Sequence, residues 1–177
     1  MSLAVPPIAI PAGSLLHHVS RVAYRATPLY FGRNANRYDA PDRSYGVLYL
    51  GHELPTALME SVFHQHKWSR VKNRTISLAE VNDRLVRVIE VKADLNLADL
   101  TAPNVMAAHF GLNLGQLASR SYRHTHRISK QVHDALDPSG VPKYDGIYYP
   151  SRNNFPAKCI ALFDRAAHKL LMSPGVV

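Results

Sequence analysis

The segment NRYDAPDRSYGVLYLGHELPTALMES, residues 36–61, decides how this chain folds. A polar loop carrying Pro41 and turn-forming Asn and Asp residues runs into VLYL, a brief buried strand stopped by Gly51. Pro55 then stands where a helix accepts it, in the first turn, because the N–H it lacks would have had no intrahelical partner. In TALMESVFHQHKW, Leu58 with Val62 and Met59 with Phe63 have the four-residue spacing of packed helical neighbours. Glu60 shares a strip with Thr56 and His64, offset from the most apolar face. A strand, a tight turn and a helix therefore present one carboxylate in a chain dominated by bases.

Upstream, residues 1–14 carry Pro6, Pro7 and Pro11 and are expected to form a flexible arm. LLHHVSRVAY and ATPLYF are expected as short extended pieces interrupted by Pro28. Downstream, TISLAEV and RLVRVIEVK have strand-like composition and are expected to pair antiparallel, with Arg87, Ile89 and Val91 on one side of the second strand. ADLNLADLTAPN reads as a loop leading to helices between Val105 and Leu136, broken near Gly111. DGIYYPS and AKCIALFD are the last two expected strands, and residues 166–177 form a tail with at most a short helix. Strands and helices mixed without βαβ alternation point to a single α+β domain over residues 15–165, with a mostly antiparallel sheet.

The 177 residues suffice for one domain with a real core, and 46% hydrophobic with 19% charged residues excludes disorder. No apolar run of about 18 residues spans a membrane, and MSLAVPPIAIPAGS lacks the basic start and unbroken apolar centre of a signal peptide. The expected location is the cytoplasm. The excess of 21 Lys+Arg over 13 Asp+Glu, a formal charge of +8, favours an anionic partner.

Cys159 lies in the apolar run KCIALF and is expected to be an inert core residue. The pairs His64/His66 and His124/His126 are two apart on expected helices and point in different directions, so no metal is expected. The cluster SRSYRHTHRISK, with Arg120, Arg123, Arg127 and Tyr122, is either a solvated helix face or a phosphate-binding surface. Neither GxGxxG nor a P-loop is present.

A glycosidase acting on an ordinary sugar needs two carboxylates, one to protonate the leaving oxygen. A lone Glu60 suits a leaving group that needs no proton, such as nicotinamide departing from NAD, whose ring nitrogen is already cationic. What remains to be supplied is cations for the diphosphate and aromatic faces for the ring. Arg37 offers a planar fork for phosphate oxygens, and Tyr38 and Tyr49 offer rings and hydroxyls.

The order Arg37-Tyr38, VLYL with Tyr49, Glu60 in TALMES, DGIYYPSR with Ser151 and Arg152, then CIALFD resembles the RES domain family, over about Leu15 to Asp164. That resemblance implies a fold similar to diphtheria-toxin-like ADP-ribosyltransferases and a toxin of a toxin–antitoxin system. It implies NAD as substrate with no further cofactor, cleaved by water or phosphate or used to modify a protein. The implied partner is an Xre-type antitoxin with a helix-turn-helix domain, and DNA is reached only through it. Residue by residue, Glu60, Arg37 and Ser151 take the catalytic positions, while Arg21, Tyr38, Tyr49 and Arg152 bind NAD. Asn36 stands where the family commonly has Gly. The family's earlier basic position falls on Arg21, with Arg25 and His18 as alternatives.

Each residue also has an ordinary role open to it: a solvated arginine, a core tyrosine, a Glu60–His64 helical pair, a serine turn. A non-catalytic basic module binding nucleic acid through the Arg120–Arg127 cluster is the reading of a different class.

Overall fold

A computed structural model of the chain describes residues 3–33, 36–63, 76–113, 116 and 121–176. The opening segment behaves as its sequence dictates. β3 (Val47–Gly51) is buried on both faces and is followed by α1 (Leu54–Ser61), with Pro55 in the first turn. Gly51 is required at the junction: a Cβ there would stand 2.9 Å from the Ala57 amide nitrogen and 3.1 Å from the Glu53 carbonyl. This close approach folds α1 directly back over the sheet and fixes where Glu60 emerges.

The other strands are β1 (Pro7–Ile10), β2 (Leu15–Arg21), β4 (Arg84–Val91), β5 (Leu95–Asp99), β6 (Gly146–Pro150), β7 (Lys158–Phe163) and β8 (Leu170–Val176). Among the described residues they form one eight-stranded sheet in the order β1-β5-β6-β7-β3-β2-β4-β8. Only β5 and β6 run parallel. The mostly antiparallel α+β domain read from the sequence is therefore the fold. The helical elements described in full are α1, α2 (Leu78–Asn82), α3 (Val105–Phe110) and α4 (Arg123–His133).

Both faces of the central strands are covered, which is why CIALF, residues 159–163, is apolar throughout instead of alternating. One face packs Tyr38, Tyr45, Val47, Ile147, Tyr149, Ala161 and Phe163 against Ile128 and Val132 of α4. The other packs Leu16, Leu48, Leu50, Ile89, Leu97, Ile160 and Leu162. A third, smaller cluster seats α1 on Val19 and Val86 through Ala57, Leu58 and Val62.

The sheet has a seam. β2 and β3 share a single register pair, His17 with Gly51, whereas β2 and β4 pair over seven residues, Leu15 to Arg21. At the seam side chains replace the ladder. His18 Nδ1 meets the Tyr49 carbonyl at 2.9 Å, and His17 Nδ1 meets the His52 carbonyl at 3.3 Å. A carbonyl only accepts, so His18 carries its proton on Nδ1. Burial holds its pKa below the ordinary 6.5 against the opposing effect of that bond.

Four expectations are corrected. Residues 78–82, which take in the second half of TISLAEV, form the short helix α2: Ser77 caps it by accepting from the Glu80 amide at 3.1 Å, and Ser-x-x-Glu is a helix-start pattern that outweighs a weak alternation. β4 consequently pairs with β2 and β8. The expected N-terminal arm contributes β1, paired with β5 over Pro7–Ala98 to Ile10–Leu95, and buries Val5; prolines are tolerated because β1 is an edge strand. The expected loop ADLNLADL contains β5, whose Leu95 and Leu97 are buried while Asn96 is exposed. The expected tail closes the other sheet edge as β8, after a 3-10 turn over Asp164–Lys169.

The candidate active site

Glu60 projects from the last turn of α1 and is half-buried. Its Oε1 accepts from the Ser151 hydroxyl at 2.6 Å, the Arg152 amide at 2.9 Å, the Asn153 amide at 3.2 Å and Asn153 Nδ2 at 3.4 Å. Among the described residues its second oxygen, Oε2, has no hydrogen-bond partner. One oxygen is thus latched to the segment after β6 while the other remains available to a ligand.

Ser151 builds that segment. It is 2% exposed, and its Oγ accepts from the amides of Asn153 at 3.2 Å and Asn154 at 2.9 Å while donating to Glu60. Asn154 Nδ2 adds a second tie to α1, donating to the buried Thr56 hydroxyl at 2.9 Å. The serine and the glutamate, 91 residues apart in sequence, are brought into direct contact.

Arg37 comes from the polar loop before β3 and lies over the Tyr38 and Tyr149 rings, its guanidinium carbon 5.1 and 5.2 Å from their centroids. It donates weakly to the Pro150 carbonyl at 3.4 Å, and its buried Nε has no partner among the described residues. Arg152 stands above Tyr122, 5.9 Å from the ring centroid. Burial, then repulsion from Arg37, pulls the Arg152 guanidinium below its ordinary value. Two cations that repel each other near one carboxylate are a receptive setting for an anion.

The tyrosines divide their work. Tyr38 is 1% exposed, its ring closed in by Arg37 and by Tyr149 at 4.7 Å, so it offers no face for stacking. Its phenol is raised by burial, with Arg37 and Arg152 opposing and Glu60 adding. The Tyr49 hydroxyl is fully engaged, donating to Asp39 Oδ1 at 2.8 Å and accepting from the Tyr38 amide at 2.8 Å. Through these bonds the Tyr49 hydroxyl supports the arginine loop.

Arg21 does not join this group. It ends β2 in a half-exposed ion pair with Asp83 at 2.5 Å, and Arg25 is exposed. Of the three candidates for the earlier basic position, only His18 touches a site residue, at the Tyr49 carbonyl. Opposite His18 across the β2–β4 ladder stands Arg87, 4% exposed and committed to the Ser20 hydroxyl and the Tyr24 and Arg25 carbonyls.

Cys159 is buried beside the site, and burial, then Glu60, pushes its thiol up to about 12, which leaves it unfit as a nucleophile. Among the described residues no group of three or more His, Cys, Asp or Glu side chains is placed to hold a metal ion. His64, His66 and Arg120 lie outside the described residues. Arg123 and Arg127 are exposed on α4 opposite its buried Thr125, Ile128, Ser129 and Val132, and Tyr122 is engaged with Arg152. That arrangement fits a solvated helix face better than a stacking surface for bases.

Sequence reasoning missed Asp39, Thr56, Tyr149, Asn153 and Asn154. Arg37-Tyr38-Asp39 and Ser151-Arg152-Asn153-Asn154 are contiguous polar runs flanking named residues, and that adjacency was the available signal.

The RES domain family model matches residues 15–174, nearly the whole chain. The chain belongs to the RES family. Comparison by sequence with curated proteins gives no match. Among solved structures, a chain of the M. tuberculosis MbcT–MbcA toxin–antitoxin complex superposes with a TM-score of 0.66, at 12% identity, over 96% of this RES chain and 86% of that one. At that identity the likeness is one of fold.

Proposed function

We propose that this RES protein is a toxin that breaks the nicotinamide–ribose bond of NAD. The observation that carries the reading is the Glu60 carboxylate, latched through one oxygen by Ser151 and two backbone amides, with the other oxygen unpartnered among the described residues. As the C1′–N bond breaks, its electron pair passes to the cationic ring nitrogen and nicotinamide leaves neutral. Positive charge develops on the ribose, and Glu60 Oε2 faces it. Water then adds at C1′ and loses a proton, giving ADP-ribose; inorganic phosphate in its place gives the 1″-phosphate.

Arg37 and Arg152 hold the diphosphate, which relieves their mutual repulsion, and the Tyr38 ring backs the Arg37 guanidinium. The buried Asp39 is occupied by Tyr49 and Asn36, so it does not compete for the role of Glu60. Membership of the RES family, and a fold shared with a chain of a toxin–antitoxin complex, support an antitoxin partner, which in this reading is of Xre type and alone contacts DNA. We place its action in the cytoplasm; among the described residues no helix is long and apolar enough to cross a membrane.

The test is incubation of purified protein with NAD labelled in the adenylate half, with and without phosphate and cell lysate. Release of ADP-ribose or its phosphate supports the reading. Label on a lysate protein selects mono-ADP-ribosylation by the same site, and no consumption of NAD under any condition overturns both.

A further inference from the structure

Asp39 is 1% exposed and takes no part in the bond-breaking step, yet the chain accepts the cost of burying its carboxyl, whose pKa burial pushes up. Among the described residues no Lys or Arg pairs with it. Its two oxygens instead accept from Tyr49 Oη at 2.8 Å and from the Asn36 amide at 2.9 Å. We infer that Asp39 is a positioning residue, acting through the Tyr49 hydroxyl to hold the Arg37–Tyr38 backbone where Arg37 meets the diphosphate. The consequence for turnover rests on the NAD reading; the holding role rests on geometry alone.

An ionised Asp39 only accepts, so it fixes the direction of the Tyr49 hydroxyl proton and turns that oxygen's lone pair toward the Tyr38 amide. The opposite side of the loop is held by α4. Ser129 Oγ donates to the Tyr38 carbonyl at 2.5 Å and is bonded to Tyr45 Oη at 2.8 Å, while His126 Nε2 meets the Asn36 carbonyl at 2.7 Å. Arg37 itself has only ring contacts and one long bond to Pro150 among the described residues, so its position is inherited from this clamped backbone. The Glu60 latch belongs to α1 and the segment after β6 and does not pass through Asp39.

Asp39→Asn leaves an amide NH2 facing either the Asn36 amide or the Tyr49 hydroxyl, and Tyr49→Phe removes the bridging oxygen. Each variant is expected to raise KM for NAD about tenfold with kcat within about threefold, the signature of lost uniform binding. The double variant is expected to be no worse than the poorer single one, because both cut the same chain of bonds. Hydrogen exchange provides a readout without NAD: the Tyr38 amide is expected to exchange faster in both variants, with the Arg152 and Asn153 amides unchanged. Full additivity in KM, or an unaltered Tyr38 exchange rate in the folded Tyr49→Phe protein, overturns the role. Faster exchange in variants of a chain that consumes no NAD overturns the NAD reading and sustains the holding role.

Discussion

The Glu60→Gln replacement isolates charge from shape. The new side chain keeps an amide oxygen for the Ser151 hydroxyl and the Arg152 and Asn153 amides, and its NH2 takes the place of Oε2, which has no hydrogen-bond partner among the described residues. Exchanging charge-assisted for neutral hydrogen bonds costs roughly 1–2 kcal/mol in stability, a fall in Tm of about 3–6 °C for a chain of this size. The catalytic loss is larger. A carboxylate about 4 Å from a developing cation contributes on the order of 4 kcal/mol at an effective dielectric near 20, and partial exposure of Glu60 reduces this to about 2–3 kcal/mol. The expected fall in kcat is therefore about 30- to 150-fold, with KM little changed. Nicotinamide release measured against NAD concentration, beside a thermal melt of the same samples, checks both figures. A folded variant turning over within about threefold of the parent rate refutes electrostatic stabilisation by Glu60.

Ser151→Ala removes the 2.6 Å donor to Glu60 and leaves the Asn154 amide without its acceptor, so Tm is expected to fall by roughly 3–10 °C and kcat by about tenfold, read by the same melts and assay. Arg37→Lys replaces a flat guanidinium lying against Tyr38 and Tyr149 by a compact ammonium, and KM for NAD is expected to rise about tenfold with kcat nearly unchanged. Acid is expected to destabilise the fold below about pH 6.5. His18, His52 and His133 are all held below the ordinary 6.5, so the unfolded chain takes up protons that the folded one resists. Above that pH the effect vanishes; below it each histidine contributes a slope of up to about 1.4 kcal/mol per pH unit until its own folded value is passed. Asp39, raised above 3.8, acts in the opposite sense and returns some stability as it protonates. Melts between pH 8 and 5 measure the sum, His18→Gln should flatten it, and a pH-independent Tm refutes it.

Residues 36–61 were legible because their determinants are local. A strand ended by a glycine and a helix opened by a proline fold this way in almost any context, and they alone set Glu60 on its helix. The misread elements share the opposite property. β1, β5 and β8 are short strands that exist through partners far away in sequence, as in Pro7 with Ala98 or Glu90 with Leu171, and no local periodicity records such pairing. α2 is different, since its Ser77-Leu78-Ala79-Glu80 start lay open in the sequence and a weak alternation obscured it.

For the site, residue types and their order determined that one acid, nearby guanidinium groups and a late serine belong together. Tertiary structure decided which of them meet. Arg21 and Arg37 are equally good phosphate binders on paper, yet the end of β2 delivers the first to Asp83 and the loop before β3 delivers the second to the Tyr149 ring. Tyr49 offers a ring and a hydroxyl, and the fold gives that hydroxyl to Asp39 and Tyr38. A side chain's chemistry is intrinsic and can be read from the sequence. Its partner is whichever group the packed backbone leaves within about 3 Å, and that distance is set only when the whole sheet has closed.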